Sequence, residues 1–218
     1  MLPIISQRLL KYTHQLFLKF ERKSPVNQLY FAYGANMGTE RFLKYNMRFS
    51  KIGPAYINDT QLTFNLPCEY QGKGFAGIVP AKKKQVYGVL YRVSYPTLLM
   101  LDILEWRIFQ FYDRHKKIVF TTHGQQKFYA WSYFVKHPRH NLSPSKGYLN
   151  YIIQEAKKNN FPSSYIEEIE QYSSKDSFPL DHEFNLLNPG RPRFAHKRLS
   201  FVYKKTDHLR EKVANFLP

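Results

Sequence analysis

Apolar and polar positions alternate in short runs along most of this chain, and one stretch between them is apolar almost throughout. Leu29 to Tyr33 reads as a strand that stops at Tyr33-Gly34-Ala35-Asn36. Thr39 to Lys44 then opens a helix, with Thr39 in the N-cap position. Short strands are expected at Ala55 to Ile57, Gln61 to Asn65, Gly77 to Val79 and Gln85 to Val93. Pro96 suits the first turn of a helix over residues 96–106. Two further strands fall at Lys116 to Thr121 and Lys127 to Tyr133. Residues 143–160 form an amphipathic helix with a polar end, and 163–172 form another, capped by Ser163 or Ser164. There is no internal repeat.

The pattern changes at both ends. Residues 3–23 place Leu9, Leu10, Leu16, Phe17 and Phe20 at helical spacing with basic residues between them, and no acid precedes Glu21. Three readings fit: a helix docked on its own domain, a helix on a membrane surface, or a cleavable organelle-targeting segment. Ser24-Pro25 breaks the pattern, so the domains read as an extension at 1–26, a core at 27–172 and a second extension at 173–218. In that last segment residues 191–218 hold eight Lys/Arg against two acids, with Phe194, Phe201 and Tyr203 among them. It reads either as an arm around its own domain or as a basic contact for nucleic acid or acidic membrane.

Composition narrows these choices. A chain of 218 residues with 43% hydrophobic and 17% aromatic content builds one well-buried domain with extensions. No apolar run approaches the roughly 18 residues needed to span a bilayer. One cysteine, Cys68, excludes an internal disulfide and a cysteine-based zinc cluster, and suits a reducing, cytoplasmic setting. The formal charge of +17 is spread along the chain rather than held in its ends, so anionic partners are attracted to the whole molecule.

Candidate chemistry gathers around residues 96–106. Leu98, Leu99, Met100, Leu101, Ile103 and Leu104 make this helix apolar almost all round, so burial is expected on every side. Asp102 and Glu105 are the only acids or bases between Arg92 and Arg107. Glu105 shares a face with Leu98 and Leu101. A carboxylate facing an apolar interior is driven toward its neutral form, which makes it a competent general base near neutral pH. The alternative is a helix-end Glu paired with Arg107 or Arg114. No Gly-x-Ser-x-Gly, Walker or His-Glu-x-x-His motif is present. His115, His123, His137 and His140 lack ligand-like spacing, so no metal site is expected.

Three stretches then join. "YFAYGANMGTERF", "VYGVLYRVSYPTLLMLDILEW" running on to "FYDRHKKIVF", and "SPSKGYLNYIIQEAKKNNFPSSYIEEIE" occur in the order and spacing of the gamma-glutamylcyclotransferase family. The chain resembles that family from about Gln28 to Tyr172. The resemblance implies an α+β fold, a small mixed β-barrel flanked by helices. It implies cleavage of a gamma-glutamyl amide without water: the substrate's α-amine attacks its own γ-carbonyl and releases 5-oxoproline. It assigns Glu105 as acid/base, and Tyr30, Phe31, Ala32, Tyr33, Gly34 and Ala35 as the glutamyl-binding loop. Asn36 belongs to the same turn, and Tyr112 and Tyr148 are carried over as substrate contacts. The implied partner is a small gamma-glutamyl substrate, with no metal or organic cofactor. Ala35 stands where the family often has serine, and Trp106 where glycine usually follows the glutamate. Trp106, Phe109 and Phe111 are therefore expected to narrow the pocket or change the leaving group it accepts.

Overall fold

The computed structural model describes residues 15–68, 72–107 and 110–174. Its strands are β1 (Val26–Ala32), β2 (Phe49–Pro67), β3 (Gly74–Ser94), β4 (Tyr112–Thr121) and β5 (Lys127–Val135). Its helices are α1 (residues 15–23), α2 (Glu40–Lys44), α3 (Tyr95–Leu104), α4 (Lys146–Lys158) and α5 (Ser163–Glu170). The strands close a barrel in the order β1-β3-β2-β4-β5. All pairings are antiparallel except the last, in which Tyr30 of β1 meets Trp131 of β5 in parallel and removes the open edge. The fold is thus the α+β class expected, a small mixed barrel flanked by helices.

Four expected short strands are in fact two long ones. Ala55–Ile57 and Gln61–Asn65 belong to β2, and Gly77–Val79 and Gln85–Val93 to β3. The turn-like residues between them are absorbed as irregularities in the ladder. The register shifts between Asn58 and Thr60, where Asp59 adopts φ 54°, and its side chain accepts from the Lys83 N–H at 2.9 Å. A bulge of this kind raises local twist without ending the strand, and a long twisted hairpin is what wraps a five-stranded barrel shut.

Two caps differ from expectation. Thr39 sits at the N-cap of α2 in a helical conformation and its side chain makes no capping bond. The N-cap of α5 is Pro162, with Ser163 already inside the helix. Ser94 and Ser145 do cap α3 and α4, accepting from the Thr97 and Tyr148 N–H groups.

Helix α3 is buried on one side only. Leu98, Leu101 and Leu104 enter the core, whereas Leu99 and Ile103 are 45% and 48% exposed. A helix laid on a barrel offers it a single face, so an all-apolar sequence leaves apolar residues outside.

Helix α1 packs on the barrel through a buried carboxylate. Glu21 accepts from the Arg48 N–H at 2.6 Å, the Thr97 hydroxyl at 2.7 Å and the Ser94 hydroxyl. The Arg48 guanidinium in turn donates to the carbonyls of Glu21, Arg22 and Ser24 at the end of α1. The segment read as 173–218 lies outside the described residues from 175 onward, including Phe194, Phe201 and Tyr203. Among the described residues no helix is long and apolar enough to cross a membrane.

Candidate active site

Glu105 is not within α3 but forms its C-cap, at φ −87° and ψ 10°. The chain then turns through Trp106 at φ 54° and reaches Gln110 at φ 60°, both left-handed. Side chains with a Cβ adopt that region at a cost of about 1 kcal/mol or more. Trp106 is buried and does not line the cavity at Glu105. Its effect is on the backbone leaving Glu105, not on the pocket wall. Nor does Phe111 line the cavity. The narrowing expected from these bulky residues therefore does not arise from their rings, and Phe109 lies outside the described residues.

Neither Arg107 nor Arg114 partners Glu105, as the alternative reading expected. Both stand 3.3 Å from Asp102 instead. Glu105 pairs with Arg41 of α2, Nη1 to Oε1 at 3.3 Å, and accepts from Asn36 Nδ2 at 2.8 Å. The same Arg41 nitrogen donates to Asn36 Oδ1 at 2.9 Å. That bond fixes which way the Asn36 amide points, because its oxygen faces the guanidinium and its nitrogen faces the carboxylate. Asn36 Nδ2 also reaches the Tyr30 hydroxyl at 2.9 Å. The surroundings of Glu105 are thus polar and cationic, not the apolar interior that its helical face suggested.

Around this clamp lies a cavity of about 30 Å³, walled by five tyrosines. Tyr30, Tyr33, Gly34, Ala35, Asn36, Tyr112 and Tyr148, all expected at the site, line it together with Glu105. Their hydroxyls are held in place. Tyr33 donates to the Tyr133 carbonyl at 2.6 Å, Tyr112 to the Ala76 carbonyl at 2.6 Å, and Tyr133 to Asp102 at 2.8 Å. Tyr148 accepts from the Ala76 N–H at 3.4 Å and from the Ala35 amide. Burial pushes all five phenols well above their ordinary value, and the negative charge of Glu105 adds to this at Tyr30 and Tyr33. They remain neutral O–H groups across the physiological range.

Gly34 makes this enclosure possible. The turn closes with the Met37 N–H on the Gly34 carbonyl at 3.0 Å. A Cβ on Gly34 would stand 3.1 Å from the Tyr148 hydroxyl and 3.4 Å from the Ala76 Cβ. The absence of a side chain is what lets the loop approach β3 and Tyr148 so closely.

Phe31 and Ala32 are not brought to the cavity. Along β1 successive side chains alternate, so Tyr30 and Phe31 face opposite ways. The Phe31 ring is fully buried against Gly88, where a Cβ would meet it at 2.6 Å. Three lining or contacting residues escaped the sequence reading. Arg41 lies inside the Thr39-Glu40-Arg41 motif, and a buried cation on an amphipathic turn demands an acid partner. Tyr133 and Ala76 carry no such sign, because strand pairing alone brings them there. Among the described residues no three His, Cys, Asp or Glu side chains are grouped to hold a metal ion.

A closed five-stranded barrel thus surrounds a carboxylate clamped by Asn36 and Arg41 and lined by neutral hydroxyls. The chain belongs to the gamma-glutamyl cyclotransferase, AIG2-like family, whose model matches residues 30–150. It is 28% identical over 158 residues to the gamma-glutamylcyclotransferase of Bos taurus, covering 68% of this chain and 80% of that one. An uncharacterized protein from Homo sapiens has the same fold, with a TM-score of 0.62 at 23% identity over 81% of this chain and 98% of its own. A solved structure described as gamma-glutamyl cyclotransferase matches as well, with a TM-score of 0.62 at 23% identity over 82% and 98%.

Proposed function

We propose that the protein is a cyclotransferase that releases 5-oxoproline from a gamma-glutamyl amide, with Glu105 as its acid/base. The observation carrying this reading is the unequal treatment of the two carboxylate oxygens. Oε1 takes donors from Asn36 and Arg41, while Oε2 has no donor among the described residues. A carboxylate anchored by one oxygen keeps the other for proton transfer.

The reaction makes modest demands on such a site. The α-nitrogen of the glutamyl group forms a bond to its γ-carbonyl carbon, and the bond from that carbon to the leaving nitrogen breaks. Two protons leave the α-nitrogen, one to free the amine for attack and one as the new bond forms; Glu105 passes both to the departing nitrogen, which leaves as an ammonium, so no water is consumed. Because nucleophile and electrophile share one molecule, orientation supplies up to about 7–11 kcal/mol of the barrier. The Tyr30 hydroxyl, which accepts from Asn36, and the amides of Ala35 and Ala76 are the donors for the developing oxyanion or the substrate α-carboxylate. The Tyr148 oxygen, which accepts from both of those amides, marks where a substrate oxygen would lie.

Glu105→Gln tests the assignment. It keeps the shape of the side chain and the anchoring donors nearby, and removes the base. Release of 5-oxoproline from gamma-glutamyl dipeptides is expected to fall by ~10²–10⁴-fold with the melting temperature largely retained. Turnover near that of the unmodified protein would remove Glu105 from the mechanism.

A further inference from the structure

Side chains along the hairpin of β4 and β5 alternate between core and surface. Val119, Ala130 and Ser132 are fully buried. The other set points outward, and the register pairs its members: Lys116 opposite Trp131, Ile118 opposite Tyr129 and Phe120 opposite Lys127. Tyr129 is 62% exposed, while Trp131 and Phe120 are half-buried. The row of rings continues onto β2, where Tyr56 stacks on Phe120 with 5.6 Å between centroids and 21° between planes. Lysines cover two of these rings. The Lys116 ammonium lies 4.9 Å from the centre of Trp131, and the Lys127 ammonium 5.9 Å from that of Tyr129. Arg114 also stands 4.9 Å from Trp131, but its charge is met by Asp102 at 3.3 Å. No acid occupies an outward position of either strand.

A solvated ammonium sits over a ring only when the ring turns its face, not its edge, outward. The Trp131 edge is meanwhile pinned, its Nε1–H donating to Gln28 Oε1 at 3.4 Å. Upturned rings flanked by cations suit a polymer that alternates flat bases with phosphates. Bases stack on the faces that the ammonium groups now cover, and the displaced ammonium groups reach the phosphates beside them. An anionic membrane fits less well, because insertion needs apolar side chains that project, and these rings lie flat under charge. We propose that the outer face of the β4–β5 hairpin binds single-stranded nucleic acid. Tyr129 and Trp131 are its stacking platforms, and Lys116 and Lys127 hold the phosphates. This surface is separate from the chemistry proposed at Glu105 and does not depend on it.

Fluorescence anisotropy of the full chain tests this, with labelled oligo(dT) and oligo(U) of about 12 nucleotides and a DNA duplex of the same length. A charge of +17 attracts any polyanion, so the decisive changes leave charge alone. Tyr129→Ala and Trp131→Ala are each expected to weaken single-strand binding about tenfold while duplex binding stays as it was. Lys116→Gln combined with Lys127→Gln is expected to make the salt dependence of single-strand binding shallower, by about 1.4 in the slope of log K against log salt. Tyr129 is exposed, so its variant decides the matter even if Trp131→Ala unfolds early. Loss on either oligonucleotide upholds the site, and the one that loses more is the nucleic acid it prefers. Single strands held no tighter than duplex, or held equally by Tyr129→Ala and the parent, overturn the proposal. If Tyr129→Ala instead loses only its hold on phosphatidylserine–phosphatidylcholine vesicles, the face is a membrane contact and the proposal falls. Release of 5-oxoproline by Tyr129→Ala is expected to match the parent, so the two readings fail or stand separately.

Discussion

Arg41 is the residue on which the geometry of Glu105 turns. Its Nη1 serves Asn36 and Glu105 together, and its side chain and that of Glu105 are 8% and 15% exposed. Breaking such a pair strands a charge in a place that water barely reaches. Arg41→Met is therefore expected to cost about 3–5 kcal/mol of stability. Freed of this anchor, the carboxylate loses its aim, and 5-oxoproline release is expected to fall ~10²-fold. Urea unfolding and a turnover assay check the two effects separately, and a variant as stable and active as the parent would disprove the clamp. At this scale the site was partly legible in the sequence. Gly34, Asn36 and Glu105 lie in motifs whose local chemistry marks them, whereas Tyr148 came only with the family resemblance. The Phe31 ring lies away from the cavity; motif membership does not tell which face of a strand a residue takes. Arg41 was passed over because its partner lies 64 residues away.

Among the elements, α1 has a role that its basic, amphipathic sequence only hinted at. Glu21 sits at the N-terminal end of α3, where it binds the cap residue Ser94 and Thr97. Glu105 ends the same helix. A negative charge is well placed there, since the first turn of a helix presents unpaired N–H groups. Glu21→Ala would leave the Arg48 amide and two hydroxyls without their acceptor in a buried place. The expected loss is about 2–4 kcal/mol, with Glu21→Gln in between. The midpoint of urea unfolding measures this, and an unchanged midpoint for Glu21→Ala would show that α1 is dispensable. The long strands were harder to read than the helices. Asn58-Asp59 and the stretch from Pro80 to Lys84 look like ends of strands, yet cross-strand bonds carry β2 and β3 through them.

For the whole molecule the buried tyrosines dominate the response to alkali. The phenols of Tyr30, Tyr33, Tyr112, Tyr133 and Tyr148 are raised by burial above the ordinary 10.0, so the folded state holds protons that the unfolded chain releases. Their stabilisation is complete below pH 10 and is lost as pH climbs above it toward the folded values. Melting temperature should thus start to fall near pH 10, with the absorbance of these five buried tyrosinates appearing together with unfolding. Absorbance rising fully near pH 10 in a protein that remains folded would contradict the enclosed cavity. The sequence by itself determined where the helices fall and which stretches are extended, though not that four such stretches join into two strands, together with the break at Gly34 and the acid at the end of an apolar helix. These follow from period, turn chemistry and caps, which act over a few residues. Only the tertiary structure decided that β1 meets β5 at Tyr30 and Trp131, that Arg41 rather than Arg107 or Arg114 faces Glu105, and that Asp102 takes the other two cations. Closing a barrel joins positions about a hundred residues apart, and which charge meets which is settled by that closure rather than by neighbours along the chain.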